Sequence, residues 1–317
     1  MALETTSGQQ LAPSSTVKRR VRPLNYKSLA PYLFLTPFGI FFLMFFIIPI
    51  FYAIYQSLFR SQRSGLGLGA PTISFNGLGN YHDVLVDSNF YAGIGRVLLL
   101  GVVQVPVMLI LALILALLMD STVVRLKSFF RIAFFIPYGV PGVIGALLWG
   151  FLYNAQLSPI VGGVHAIGLT NFDPLNGSTI LWSIANIITW EYTGYNMLII
   201  FASLQSIPEQ LYEAARLDGC TGIGIAWYIK VPLVAPALVL TCVLSIIGTL
   251  QLFTEPQVLS QIANSITSTY TPNLYAYFSA FSNNNYFFTA ALSVVLAIVT
   301  FIFSFSFLRL TQRQSGV

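Results

Sequence analysis

Long uncharged apolar runs, separated by short polar stretches, set the rhythm of this chain. Pro31 to Phe59 and Val97 to Met119 hold no charged residue, and neither does Ile132 to Tyr153. Thr179 to Ser206 is interrupted only by Glu191, and Leu233 to Phe253 and Tyr286 to Leu308 complete a set of six. Each run approaches or exceeds the roughly 20 residues that a helix needs to cross a bilayer. The pattern predicts an all-α integral membrane protein with about six transmembrane helices. Pro37, Pro49, Pro106, Pro137, Pro141 and Pro236 fall within or at the ends of these runs and imply kinks or breaks. The first run is longer than one crossing requires, so part of it is expected to tilt or lie at the interface.

Composition agrees with this reading and excludes others. A 56% hydrophobic, 8% charged chain with mean hydropathy +0.77 is neither an ordinary soluble domain nor a disordered one. Basic residues then orient the spans. With the N-terminus in the cytoplasm, Lys18, Arg19, Arg20, Arg22, Lys27, Arg125, Lys127, Arg131, Arg216, Lys230, Arg309 and Arg313 all fall on the cytoplasmic side. Only Arg60, Arg63 and Arg96 lie outside, a strong positive-inside bias that puts both termini in the cytoplasm. The net charge of +5 thus reports topology and needs no nucleic-acid partner.

The domain reading follows. Residues 1–30 form a cytoplasmic tail, polar from Met1 to Thr16 and expected to be disordered; residues 31–308 form the membrane domain; residues 309–317 form a short cytoplasmic tail. No short apolar region with a cleavage site precedes Pro31, so the first span is expected to act as the insertion signal. Cys220 and Cys242 fall in a cytoplasmic loop and a span, which suits neither a disulfide nor a metal site.

Signatures of catalysis are missing. The chain has no G-x-x-x-x-G-K-[ST], no H-E-x-x-H and no G-x-S-x-G, and His82 and His165 stand alone in different loops. The run Gly65 to Gly69 reads as a linker, with no strand before it and no helix after it. The expectation is a protein that is not an enzyme and binds no cofactor or metal of its own.

One charged island stands out between the fourth and fifth spans. "SIPEQLYEAARLDG" predicts a short helix, with Pro208 at a favoured first-turn position, Glu209 in the first turn and Gly219 as its stop. Leu211, Ala214, Ala215 and Leu217 give an apolar side; Glu209, Glu213 and Arg216 give a polar one. A second amphipathic piece, Gly224 to Lys230, leads to Pro232. Such a helix is suited to another protein's groove, or to lipid headgroups, although its acidic character disfavours anionic lipid.

The spacing Glu213-Ala214-Ala215, then Gly219, Ile229 and Pro232, resembles the cytoplasmic signature of permease subunits of binding-protein-dependent ABC importers. It departs from the family's usual Leu at Val231 and Ala at Cys220. Four further stretches resemble the carbohydrate, maltose-type branch: "FNGLGNY" (Phe75 to Tyr81), "FFRIAFFIPYGVPGVI" (Phe129 to Ile144), "LQSIPEQLYEAARLDG" and "LQLFTEPQVL" (Leu250 to Leu259). The likeness runs from about Pro31 to Leu308. It implies that the 208–232 loop is a coupling helix seated in a cleft of a cytoplasmic ATPase, with coupling residues Glu213, Ala214, Ala215, Asp218, Gly219, Ile229 and Pro232. It also implies the partners: a second permease, two copies of an ATPase that carry ATP and Mg, and an extracytoplasmic solute-binding protein. The location implied is the inner membrane of a bacterial or archaeal cell. The "LYEAA" form and the short tail are more similar to the first permease of a heterodimer than to the second.

For the solute path, "TWEYTGYN" places Trp190, Glu191, Tyr192, Tyr195 and Asn196 in one membrane helix. Aromatic faces and convergent hydrogen-bonding groups suit sugars, and a membrane-buried acid points to function, or else to pairing with a neighbouring helix. Glu191 and Tyr195, four apart, are expected to share a face. The resemblance implies that Tyr192, Tyr195, Ser245, Gly248, Thr249 and Leu252 line the cavity. Gln251 and Glu255 are candidates from chemistry, with Glu255 alternatively a solvated end of the fifth span. A secondary transporter, which predicts inverted repeats and several buried ion ligands, and a membrane scaffold that docks a cytoplasmic partner are the competing classes.

Overall fold

The computed structural model describes residues 26–62, 71–121, 123–154, 156 and 158–314. The polar stretch Met1–Thr16, the run Gly65–Gly69 and Arg63 lie outside the described residues. The chain divides into two units, one ending at Phe51 and one beginning at Tyr52. That boundary falls inside the first expected span.

In the first unit, α1 (Tyr26–Phe42) passes through a π-helical turn, Leu43–Ile47, into α2 (Ile48–Ser57), whose last residues belong to the second unit. The stretch is apolar on every side, as a lipid-facing helix is. In the second unit, β1 (Phe59–Gln62) and β2 (Thr72–Phe75) pair antiparallel, a small exception to the all-helical expectation. Phe59, expected at the end of a span, instead sits in β1, its ring 5.7 Å from that of Phe75. The "FNGLGNY" stretch is the clasp of this hairpin. Asn80, at the start of α3 (Gly79–Val86), is buried and donates to the carbonyls of Ser57 (2.7 Å) and Phe59 (2.6 Å).

Asp87 caps the long helix α4 (Ser88–Asp120), its carboxylate accepting the Asn89 N–H at 2.8 Å. The third expected span is not one helix. It is α5 (Lys127–Gly139) and α6 (Gly142–Tyr153), bent by 95° where Pro137 and Pro141 bracket the break. Proline lacks the N–H that would carry a helix through and restrains the residue before it. Then come α7 (Pro159–Ala166) and α8 (Ile180–Leu204). The loop helices are α9 (Glu209–Leu217), α10 (Gly222–Ile225), a π-helical turn Ala226–Lys230 and α11 (Val231–Leu233). The fifth expected span is α12 (Ala235–Leu250) followed, after a turn, by α13 (Thr254–Leu259). Two helices close the described chain: α14 (Pro272–Phe281) and α15 (Tyr286–Gln314). The last membrane-span candidate, Tyr286–Arg309, ends one residue past the expected Leu308, and the helix itself continues to Gln314.

Among the described residues, four helical stretches are long and apolar enough to cross a membrane, or five if the bent α5–α6 pair is one crossing. The fourth expected span, α8, has 25 residues and is long enough at about 37 Å, but its polar centre lowers its hydropathy. It is shielded instead, packing along α4 and against α5. Ala112 and Ala116 on α4 are buried together with Met197 and Ile200 on α8, small residues allowing close helix approach. The tightest crossing is at Gly194, where a Cβ would lie 1.8 Å from the Phe134 carbonyl oxygen. Only glycine allows α5 to lie that close to α8.

Candidate functional site

The 208–232 loop is specified by its own short-range hydrogen bonds. Pro208 enters α9 in an extended conformation, Glu209 occupies the first turn and Arg216 the last, so both charges favour the helix dipole. Gly219 takes φ +80°, and its N–H bonds the Arg216 carbonyl (3.1 Å) while the Cys220 N–H reaches back to Ala215 (2.9 Å). This pair is the left-handed helix stop that glycine permits without steric cost. Thr221 then caps α10, its hydroxyl accepting the Gly224 N–H at 3.2 Å.

The expected coupling residues divide by exposure. Glu213, Ala214, Asp218, Gly219 and Pro232 are exposed, whereas Ala215 and Ile229 are half-buried. Large apolar side chains lie open in the same loop: Leu217 is 89% exposed and Tyr228 77%, with Ile223 and Trp227 also exposed. Uncovered apolar surface rimmed by charge marks a contact surface.

Tyr212 alone of the larger α9 side chains leans toward the body of the protein. The Lys230 ammonium lies 5.0 Å from its ring centre and forms an ion pair with Asp120, the last residue of α4. Gln205, just past α8, donates to the same carboxylate at 2.7 Å. Burial pushes the Tyr212 phenol up from its ordinary pKa, and the Asp120 carboxylate adds to the shift. A carboxylate at a helix C-terminus opposes the helix dipole; Lys230 and Gln205 offset that cost and fasten the loop to the ends of α4 and α8.

Those two helices continue to a cavity of about 320 Å³. Gln104 and Met108 line it from α4, Tyr138 from α5, and Ile188, Tyr192, Tyr195 and Asn196 from α8. Leu244, Ser245, Gly248 and Thr249 line it from α12; Gln251, Leu252 and Phe253 from the following turn; Thr254 and Glu255 from α13. Positions 245, 248 and 249 share one face of α12 by helical spacing, and Leu252 joins them from the turn beyond it. The expected Tyr192, Tyr195, Asn196, Ser245, Gly248, Thr249 and Leu252 are therefore brought together, along with Gln251 and Glu255.

Tyr138 is the main lining residue that sequence reasoning missed. Its ring stacks on Tyr195 at 4.5 Å and meets Tyr192 edge-on at 5.7 Å. The signal was the tyrosine between two prolines at the α5–α6 break. Gln104 was also missed, although it is the one polar side chain in the apolar run of α4. Its amide donates to Thr189 Oγ1 (3.4 Å), whose own hydroxyl is committed to the Ala185 carbonyl (2.7 Å). Asn196 donates to the Tyr192 carbonyl at 3.0 Å. Both amides thus point their N–H groups into protein, leaving Gln104 Oε1 and Asn196 Oδ1 buried with no donor among the described residues.

Two acids depart from expectation. Glu191 is 6% exposed, lies outside the cavity lining and does not share the cavity face with Tyr195. It turns toward the α5–α6 break: a Cβ on Gly142 would be 3.6 Å from both Glu191 Oε1 and the Thr254 methyl. Its Oε2 is buried without a hydrogen-bond partner. Glu255 is 7% exposed and lines the cavity, which rules out the solvated-end alternative. After the turn that ends α12, α13 continues the same span, Ala235–Leu259, so that Glu255 stays inside the protein. Trp190 is half-buried and packs edge-on against Trp149 at 5.8 Å. No group of three or more His, Cys, Asp or Glu is placed to hold a metal among the described residues.

Residues 108–316 match the family model described as a binding-protein-dependent transport system inner membrane component. A probable ABC transporter permease protein, YurN of Bacillus subtilis, is 32% identical over 89% of this chain and 95% of its own length. The lactose transport system permease protein LacF of Rhizobium radiobacter is 32% identical over 80% of this chain and 86% of its own. Among solved structures, a bacterial ABC transporter involved in the import of the acidic polysaccharide alginate superposes with a TM-score of 0.76 at 18% identity, covering 91% of this chain and 98% of that one. The alginate transporter in complex with an alginate pentasaccharide-bound periplasmic protein gives 0.77 at the same identity.

Proposed function

This chain belongs to the family of binding-protein-dependent transport system inner membrane components, and from that premise we propose that it forms half of a sugar pathway and couples to a separate ATPase through residues 208–232. It is a multi-pass inner-membrane permease subunit of an ABC importer. The observation that carries the sugar reading is the aromatic cavity: Tyr138, Tyr192 and Tyr195 form one cluster beside Asn196, Ser245, Thr249 and Gln251. Flat rings against C–H faces, with hydroxyl and amide groups around them, match the surface of a saccharide. The name of the LacF relative supports the same class.

Glu213, Ala214 and Asp218 present the outward face of α9 to the ATPase, while the left-handed turn at Gly219 sets the direction of the chain beyond it. Ala215, Ile229 and Pro232 hold that face in place. With both termini in the cytoplasm, this loop meets the ATPase, which supplies the ATP and Mg chemistry. Nucleotide-driven movement of the loop passes to α4 and α8 through Asp120, Gln205 and Lys230, and so reaches both cavity walls. A second permease completes the pathway, two ATPase copies drive it, and an extracytoplasmic binding protein delivers solute.

The test is reconstitution of the complex and measurement of ATPase stimulation by sugar-loaded binding protein, for wild type and Glu213→Lys. Because Glu213 is exposed, the variant should fold normally yet bind the ATPase about tenfold or more weakly. Unchanged association and stimulation sink the docking assignment.

A further inference from the structure

The charged groups nearest the cavity are both acids, and none of the residues lining it is basic. Glu255 lines the cavity itself, and Glu191, behind Thr254 and Gly142, lies within electrostatic reach of it. The two outer arginines among the described residues are committed elsewhere. Arg60 faces Asp83 at 3.6 Å, and Arg96 stacks over Tyr270 (4.9 Å to the ring centre) while donating to its carbonyl at 3.2 Å. Two lining side chains, Gln104 and Asn196, also carry a buried amide oxygen with no donor among the described residues.

We infer that this half of the pathway is built for an uncharged, hydroxyl-rich solute and works against anions, with Glu255 as the discriminating side chain and Glu191 as the charge behind it. The inference rests on the sugar reading and narrows it. Ionised, Glu255 repels a phosphate or a uronate; protonated, it still offers no positive charge to attract one. Hydroxyl groups, by contrast, match the hydroxyl and amide groups of the lining, Ser245, Thr249 and Gln251. A unit charge about 6 Å away, at an effective dielectric of about 20, changes affinity by roughly a hundredfold. An importer of an acidic polysaccharide shares this fold, so the fold leaves charge preference open and the lining decides it.

The experiment uses the assembled complex in nanodiscs without binding protein, so that delivery does not set the preference. Matched probes are lactose against lactobionate, maltose against maltobionate, and glycerol against glycerol 3-phosphate, measured by equilibrium binding. The neutral member of at least one pair should bind at least about tenfold tighter than its acid. Glu255→Gln should shrink that ratio severalfold and Glu191→Gln by less. Thr254→Lys, which adds a cation to the same wall, should shift the ratio toward the acid even if Glu255→Gln fails to assemble. Acids that bind as well as their neutral partners in wild type, or a ratio indifferent to both Glu255→Gln and Thr254→Lys, overturn the inference while leaving a sugar pathway intact. Absence of binding by every probe removes the sugar reading and this inference with it.

Discussion

The 208–232 loop and the cavity above it are built by opposite means. In the loop, each defining bond closes within five residues: Cys220 to Ala215, Gly219 to Arg216, Gly224 to Thr221. In the cavity, the defining contacts join distant stretches, such as Gln104 to Thr189 and Tyr138 to Tyr195. The loop leaves its motif residues exposed for a partner, whereas the cavity depends on burial and on how closely helices approach. A surface motif tolerates changes to its neighbours but not to its own face; a buried constellation is sensitive to any change in helix spacing.

The largest expected effect tests the cavity side of that contrast. Gly194→Val forces a side chain onto the Phe134 carbonyl, so α5 must move away from α8 and carry Tyr138 off its stack. Overpacking at so tight a backbone contact should cost more than about 4 kcal/mol, seen as lost thermal stability in detergent. A folded Gly194→Val protein with an unchanged midpoint would contradict the crossing described here.

Next comes the junction between the regions. Lys230→Met leaves Asp120 without its cation at the end of α4; side chains only 14% and 11% exposed make this a largely buried pair. The expected loss is about 3 kcal/mol, and Lys230→Met/Asp120→Leu should recover much of it, because the unpaired charge is then gone. A double variant no better than the single one would mean that packing, not charge, holds the loop.

The smallest effect isolates the loop. Gly219→Ala meets open space but must adopt φ +80°, at a cost of about 1–2 kcal/mol. That strain should weaken ATPase association severalfold while leaving solute binding unchanged. If both fall together, the loop and cavity are less separable than their construction implies.

The two regions also differ in how much of them was legible in the sequence. Pro208, the Glu213-Ala214-Ala215 spacing and Gly219 act on the residues beside them, so the helix and its stop were readable directly. The α12 lining came instead from the resemblance to maltose-type permeases, and in the structure 245, 248 and 249 share one helix face. Glu191 was left open between solute and a neighbouring helix because spacing says which residues share a face, not which way the face turns. Glu255 was ambiguous because nothing local reports that the span continues through α13 and keeps it buried.

Hydrophobic runs determined by themselves that this chain spans a membrane, and local spacing determined the loop helix and its cap. These follow from period and chain stiffness, which act over a few residues. The prolines marked the break between α5 and α6, but tertiary structure alone decided how that 95° bend presents Tyr138, the burial of Glu255 in the cavity wall, the turning away of Glu191 and the meeting of Lys230 with Asp120. Each of these depends on which helices cross and how closely, and that is settled by packing between residues far apart in the chain, such as Lys230 and Asp120, 110 positions apart.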